Sequence, residues 1–229
     1  YTSSLTSINI PDSVTSIGAN AFQNSGLTNV FISENNQLPG ITSPDTGVSF
    51  FGKTVDIINP ATIFTDTNGN TVQINITGDL TQASYSSVSV TEISSVVIGP
   101  GVTSIGNKAF SNALKLETVT FETGSQLTSI GNIAFQYASS LTSINIPAIV
   151  TSIGNSAFEG ASNLTSVTFE EGSQLTTPGL GLHVFTDSGL TTIYAYQSLI
   201  NGMGWSTTDI NTISGKSGIT VELLLPPAP

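Results

Sequence analysis

LTSINIPAIVTSIGNSAFEGASN, residues 141–163, is spelled almost again at residues 5–26 as LTSINIPDSVTSIGANAFQNSG. Longer versions of the same line run from Leu116 (LETVTFETGSQLTSIGNIAFQYASS) and from Leu164 (LTSVTFEEGSQLTTPGLGLHVFTDSG). Further strand-like units open at Leu27, Ile93 and Leu190, and from Ile93 onward the starts are 23, 25, 23 and 26 residues apart. Self-similarity at such a fixed period marks an array in which each unit buries its apolar face against the next.

The internal order of one unit predicts how it coils. The spacing of Leu141, Ile144 and Ile146 puts three apolar groups on one side of an extended segment and turns Thr142, Ser143 and Asn145 outward. Val150 and Ile153 repeat the inward pattern on a second wall, and Gly154 marks a bend that a side chain would obstruct. Asn107, Asn132 and Asn155 each follow such a glycine and precede an Ala-Phe pair or its equivalent, which predicts an N-cap on one short helical turn. Phe22, Phe110, Phe135, Phe158 and Phe185 share one position of the unit and are expected to stack as a structural spine. With strands about 4.8 Å apart, roughly eight coils would make a rod about 40 Å long. The predicted fold is therefore a repeat solenoid, a leucine-rich-repeat right-handed coil, β-rich with short helical or 3-10 turns.

These units, with Ile-Pro after the strand, Ile-Gly at the turn and a following Ala-Phe, resemble the BspA-like, or Treponema pallidum-type, leucine-rich repeat. The cysteine frequent in that family after the Ala-Phe segment is here Ala113, Ala138 and Ala161, so small and buried is what the site requires. The resemblance implies a secreted or cell-surface protein, in a family several of whose members act in adhesion.

Composition narrows the function classes. Charged residues are 8% of the 229, hydrophobic residues 38%, and the four basic residues are all lysines against 15 acidic ones. A net charge of -11 without a single arginine repels phosphate backbones and anionic lipid, so nucleic acid is excluded as a partner. The lack of cysteine removes disulfides, thiolate metal sites and thiol nucleophiles, and no run of eighteen apolar residues is present, so direct membrane insertion is not expected.

The organisation expected along the chain is an N-terminal repeat block at 1–60, with an uncapped start at Tyr1 and a degenerate last coil in which Phe50-Phe51 replaces Ala-Phe. Residues 61–92 are read as a hairpin insertion or irregular coil, built around the turn Asn68-Gly69. A C-terminal repeat block fills 93–195, and 196–229, with Tyr196 and Trp205, reads as a cap and linker.

Several patterns invite a chemical reading and fail on context. GVSFFGKT at 47–54 matches the phosphate-binding loop letter for letter, but two phenylalanines sit inside it and no helix pattern follows. Asp66, Asn68 and Asn70 alternate like the start of a calcium loop, a weak metal candidate because the twelfth position is Thr77 and not glutamate. Glu34, Glu122, Glu170 and Glu171 recur in one inter-wall loop and read as a solvated edge. His183, the one histidine, with Asp187 nearby, lacks the nucleophile elbow a hydrolase triad would need. No catalytic residue, no cofactor and no firm metal site is expected.

What remains is the outward strand face: the ladders Thr142, Thr165, Thr191; Ser143, Ser166, Thr192; and Asn145, Thr168, Tyr194. They predict a non-enzymatic module, extracellular, on a cell surface or on a virion surface, that binds protein or glycan on another surface through this face. The alternative expectation is a structural subunit whose partners are neighbouring copies of itself, stacked end to end in a filament, fibre or coat.

Overall fold

The computed structural model describes residues 61–207 and 211–225 throughout and, before them, 7–10, 16–17, 21–22, 24–26, 28–32, 45–50 and 53–58. Within the N-terminal part, β1 (Ser7–Ile10) and β2 (Asn29–Ile32) pair in parallel, Ile8 opposite Val30, one repeat apart. β3 (Asp45–Phe50) and β4 (Lys53–Ile58) form an antiparallel pair, and β4 also lies parallel to β2, giving the order β1-β2-β4-β3. Phe50 is thus a strand residue opposite Lys53 and not the first half of an Ala-Phe equivalent. Phe51, Glu34 and Tyr1 lie outside the described residues.

β5 (Ala61–Asp66) and β6 (Thr71–Asn75) make a hairpin across Asn68-Gly69, with Gly69 at φ 82°. That left-handed angle is why glycine follows asparagine there. From β7 (Gly78–Leu80) onward the chain coils. β8 (Ile93–Ile98) and β9 (Val102–Ile105) belong to one turn, β10 (Thr118–Phe121) and β11 (Ser129–Ile130) to the next, β12 (Ser143–Ile146) and β13 (Ser152–Ile153) to the third. β14 (Ser166–Phe169) and β15 (Thr192–Tyr196) follow, then α1 (Gln197–Met203), β16 (Asn211–Ile213) and β17 (Lys216–Leu224). The result is a β-solenoid of about six turns with little helix, fewer turns than the roughly eight coils expected.

One wall carries the orders β10-β8-β5-β6 and β12-β14-β15-β17-β16; the second wall is β13-β11-β9-β7, in which Ser104, Ser129 and Ser152 stand in register. Inside, Leu116, Leu141, Leu164 and Leu190 are fully buried, as are or nearly are Val119, Ile144, Val167 and Ile193. The period-two alternation survives because each strand has one neighbour-facing apolar side and one wet side.

The rings of Phe110, Phe135, Phe158 and Phe185 stack with centroids 5.2, 5.2 and 5.9 Å apart and planes within 12° of parallel. Phe22 is half-buried in the N-terminal part, where its carbonyl accepts a 2.7 Å hydrogen bond from the Ser25 hydroxyl. Ser188, 4% exposed, makes the same bond to Phe185 O at 2.7 Å, so a serine fits the small buried position when it returns its hydroxyl to the preceding turn. The column gains Tyr85, stacked on Phe110 at 5.7 Å, with Phe64 of β5 against it at 4.7 Å. Tyr85 is 1% exposed; burial pushes its phenol well above the ordinary range, and its hydroxyl donates to Ala109 O. Residues 78–92 therefore supply a turn of the solenoid, whose first-wall element is the β5–β6 hairpin.

The Ala-Phe segments are not helical. Their backbones form a third hydrogen-bonded wall: Phe110 N donates to Ala134 O at 2.7 Å, Phe135 N to Ala157 O at 2.7 Å and Phe158 N to Val184 O at 2.9 Å. Lys108, Ile133, Ser156 and His183 before the phenylalanines, and Asn112, Tyr137 and Asp187 after them, hold φ between 54° and 61°. The expected N-caps are corrected accordingly. Asn107 Oδ1 accepts from Asn132 N at 2.8 Å, Asn132 Oδ1 from Asn155 N at 2.7 Å, and Asn155 Oδ1 from Leu182 N at 2.8 Å. Each asparagine caps the next coil, not its own segment.

Candidate functional site

Five strands make the sheet β12-β14-β15-β17-β16, and its parallel register aligns the outward side chains into rows. Ser143 stands opposite Ser166, Ser166 opposite Thr192, and Thr192 opposite Thr220. The next row is Asn145, Thr168, Tyr194 and Glu222. Thr142, Thr165 and Thr191 edge the sheet, where Thr165 N and Thr191 N donate to Thr142 O and Thr165 O at 2.9 and 3.0 Å. The threonine hydroxyls reinforce that edge: Thr165 Oγ1 donates to Thr142 O and Thr191 Oγ1 to Thr165 O, both at 3.3 Å.

The two inner rows are different. Among the described residues, the side chains of Ser143, Asn145, Ser166, Thr168 and Tyr194 make no hydrogen bond to protein, so their donors and acceptors face solvent. Tyr194 is 36% exposed and is the large apolar surface on the face. The backbone of β14 and β15 is held by ladder bonds on both sides and that of β12 on its β14 side, so the polar groups sit on an ordered plane. β-Branched threonines add little rotamer freedom to lose on contact.

β17 falls within 196–229, the stretch that reads from sequence as a cap and linker. It lies parallel to β15 from Thr192–Thr220 to Tyr196–Leu224 and so widens the face, adding Thr220 and Glu222. The signal was present in Ile219 and Val221, apolar at alternate positions and buried, but nothing local to them names their neighbour. The same stretch holds α1, with Leu199 and Ile200 buried, and Trp205, whose ring packs 5.9 Å from Phe169.

The other sequence patterns resolve as structure. Gly47 to Phe50 lie in β3 and Lys53-Thr54 in β4, two antiparallel strands, so the strand–loop–helix cradle for phosphate is not there. At the calcium-like loop, Asp66 Oδ1 accepts from Asn68 N at 2.8 Å and Asn70 N at 2.9 Å, and Oδ2 from Asn70 Nδ2 at 2.8 Å. The Asn70 side chain, then the backbone amides, hold this carboxyl below its usual range; the loop's own donors occupy it, and it serves the turn. Among the described residues no group of three or more His, Cys, Asp or Glu side chains could hold a metal ion. His183 and Asp187 fall in the two left-handed columns flanking Phe185, and His183 Nδ1 lies 3.4 Å from Thr186 Oγ1. No helix among the described residues is long and apolar enough to cross a membrane.

No curated protein sequence matches the chain. Among solved structures, a leucine-rich repeat protein from Bacteroides ovatus is 16% identical over 94% of this chain and 47% of its own, with a TM-score of 0.45. The pneumococcal vaccine antigen PcpA is 23% identical over 73% of this chain and 34% of its own (TM-score 0.40). A leucine-rich repeat protein from Eubacterium ventriosum is 19% identical over 94% and 62% (TM-score 0.31), so the chain spans less than two-thirds of the length of each. The profile of the BspA type leucine rich repeat region matches residues 1–42 and 81–204 in six copies, the second stretch taking in the turn that Tyr85 anchors. On that match, which covers most of the sequence and follows its coils, the chain belongs to the BspA-type leucine-rich repeat family.

Proposed function

We propose that the chain is a non-enzymatic binding module, displayed outside a cell or on a virion, whose outward face of β12, β14, β15 and β17 docks protein or glycan on another surface. The observation that carries this reading is the pair of inner rows, register-locked and solvent-facing, with Tyr194 exposed among hydroxyl and amide groups. Such a face offers preorganised hydrogen-bonding groups around an aromatic anchor, the arrangement that concentrates binding energy in a few residues. Leucine-rich repeat proteins generally mediate protein interactions, which favours the same reading.

The test is binding of the labelled chain to intact animal or bacterial cells and to an arrayed glycan panel. Thr142→Lys, Thr165→Lys and Thr168→Lys together place three long cations on the face and should lower binding at least tenfold. Undiminished binding by that variant, with its far-UV circular dichroism intact, refutes the strand face as the contact. Light scattering at rising concentration separates the stacking alternative: a constant monomer mass fits a binder, and growing polymers mark a subunit that assembles with its own copies.

A further inference from the structure

The first wall is not hydrogen-bonded throughout. β10 ends the sheet β10-β8-β5-β6 and β12 begins the next one, although the two strands are one coil apart. One donor of the usual pattern is missing at the break. In the coils that do pair, the residue after the strand donates across: Glu122 N to Ile98 O at 3.0 Å and Glu170 N to Ile146 O at 3.1 Å. The corresponding donor between β10 and β12 would be the N–H of residue 147, which is proline and has none. The turn Glu122-Thr123-Gly124-Ser125, closed by Ser125 N to Glu122 O at 3.1 Å with Gly124 at φ 81°, stands out beside the shorter Pro147-Ala148-Ile149 link.

The break opens a notch. A recess of about 390 Å³ lies between Glu122–Ser125 and Pro147–Ile149 and reaches Glu170, and a second of about 190 Å³ continues it toward Thr120 and Asn145; Phe121 and Glu170 line both. Half-buried Phe121 and Ile149, with Pro147 buried between the coils, give an apolar floor, and Glu122 and Glu170, both exposed, stand at the rim. Glu170 is oriented across the notch by Ala148 N, which donates to its Oε2 at 3.2 Å. No lysine lines either recess, and the charge of the chain is -11.

We propose that this notch is a specificity pocket for a basic side chain, arginine or lysine, presented by an extended segment of a partner protein. The inference rests on the reading of the outward face as the contact surface, since Asn145 borders both. An aliphatic stem suits the apolar floor, a cation over the Phe121 ring gains cation–π attraction, and a guanidinium reaches carboxylates in paired hydrogen bonds. The volume is at the small end of ligand pockets, roughly 300–1,000 Å³, which fits one side chain better than an oligosaccharide. Two carboxylates on an apolar floor serve an organic cation better than a metal ion, which would need more oxygen ligands.

The experiment is a titration of the 15N-labelled chain with acetyl-Gly-Arg-Gly-amide, followed by amide chemical shifts, with acetyl-Gly-Gln-Gly-amide as the neutral control. Saturable shifts are expected at 120–125, 145–149 and 170, falling at least tenfold in affinity in Glu122→Gln/Glu170→Gln and with added salt. Shifts scattered over the acidic surface, shifts that persist in the double variant, or an equal response to the neutral peptide overturn the proposal. Asp187→Asn, which removes a carboxylate in the left-handed column beside Phe185 and away from the notch, should leave the titration unchanged. If cell binding depends on Thr142, Thr165 and Thr168 while the arginine peptide never localises, the notch inference falls and the strand face stands.

Discussion

Gly154→Ala tests whether the coils approach as closely as the structure has them. Gly154 is not in the left-handed region; its reason for being glycine is the neighbouring coil. A Cβ there would lie 2.5 Å from Asn132 N, 2.6 Å from Asn132 Oδ1 and 2.7 Å from Gly131 C. Ordinary contact needs about 3.5 Å, so the coils must part by about 1 Å. Two hydrogen bonds cross that line, Gly154 N to Ile130 O and Asn155 N to Asn132 Oδ1, both 2.7 Å. Lengthened by about 1 Å they pass the limit for a hydrogen bond, a loss of about 1 kcal/mol each on top of about 1–3 kcal/mol for overpacking. The expected destabilisation is about 3–5 kcal/mol, or roughly 6–20 °C in Tm for a chain of this size. Urea unfolding followed by far-UV circular dichroism reads it, with Gly202→Ala in α1 as the control. A Cβ at Gly202 meets nothing within 4 Å, and alanine there should be neutral or stabilise by up to about 1 kcal/mol. If Gly154→Ala unfolds within about 0.5 kcal/mol of the parent, the close contact between the coils is not real and the asparagine ladder loses its basis.

Phe135→Ala removes the middle ring of the stack and should destabilise by about 3–5 kcal/mol in the same unfolding assay, whereas Phe135→Leu should lose much less. Ile133, β-branched at φ 61°, is strained where glycine would not be; Ile133→Gly should raise Tm, by about 1 kcal/mol in stability, and a lower Tm would contradict the left-handed column. Asn132→Ala strands Asn155 N and should lose about 1 kcal/mol, with Asn155 showing the largest rise in amide exchange of any single residue. Asp66, whose folded-state carboxyl titrates below its unfolded value, stabilises the β5–β6 hairpin above the ordinary carboxylate range, and that contribution is lost as pH falls through its folded value. Amide exchange at Asn68 and Asn70 should accelerate there, and Asp66→Asn should abolish that pH dependence.

How much of this was legible in sequence follows from how far each signal reaches along the chain. Leu141, Ile144 and Ile146 announce a half-buried strand because alternation is a property of one extended segment. The recurrence of Phe110, Phe135, Phe158 and Phe185 announces a column because equal coil lengths put equal positions in line. Tyr85 belongs to that column and was missed, since Leu80-Thr81-Gln82-Ala83-Ser84-Tyr85 keeps the place of the aromatic but not the Gly-Asn-x-Ala before it.

Sequence by itself determined the repeat, its period, the inward and outward residues and the likeness to a known family, all encoded within one coil or by copying it. Tertiary structure alone decided what crosses between coils. Asn107, Asn132 and Asn155 look like caps for their own segments, yet the parallel stacking brings the next coil's N–H closer than their own. Pro147 looks like a strand terminator, yet its missing N–H matters because a neighbouring ladder would have used it. β17 joins the outward face only because β15 presents a free edge to it. A hydrogen bond between coils depends on distances that some two dozen intervening residues set together, and no local pattern records that sum.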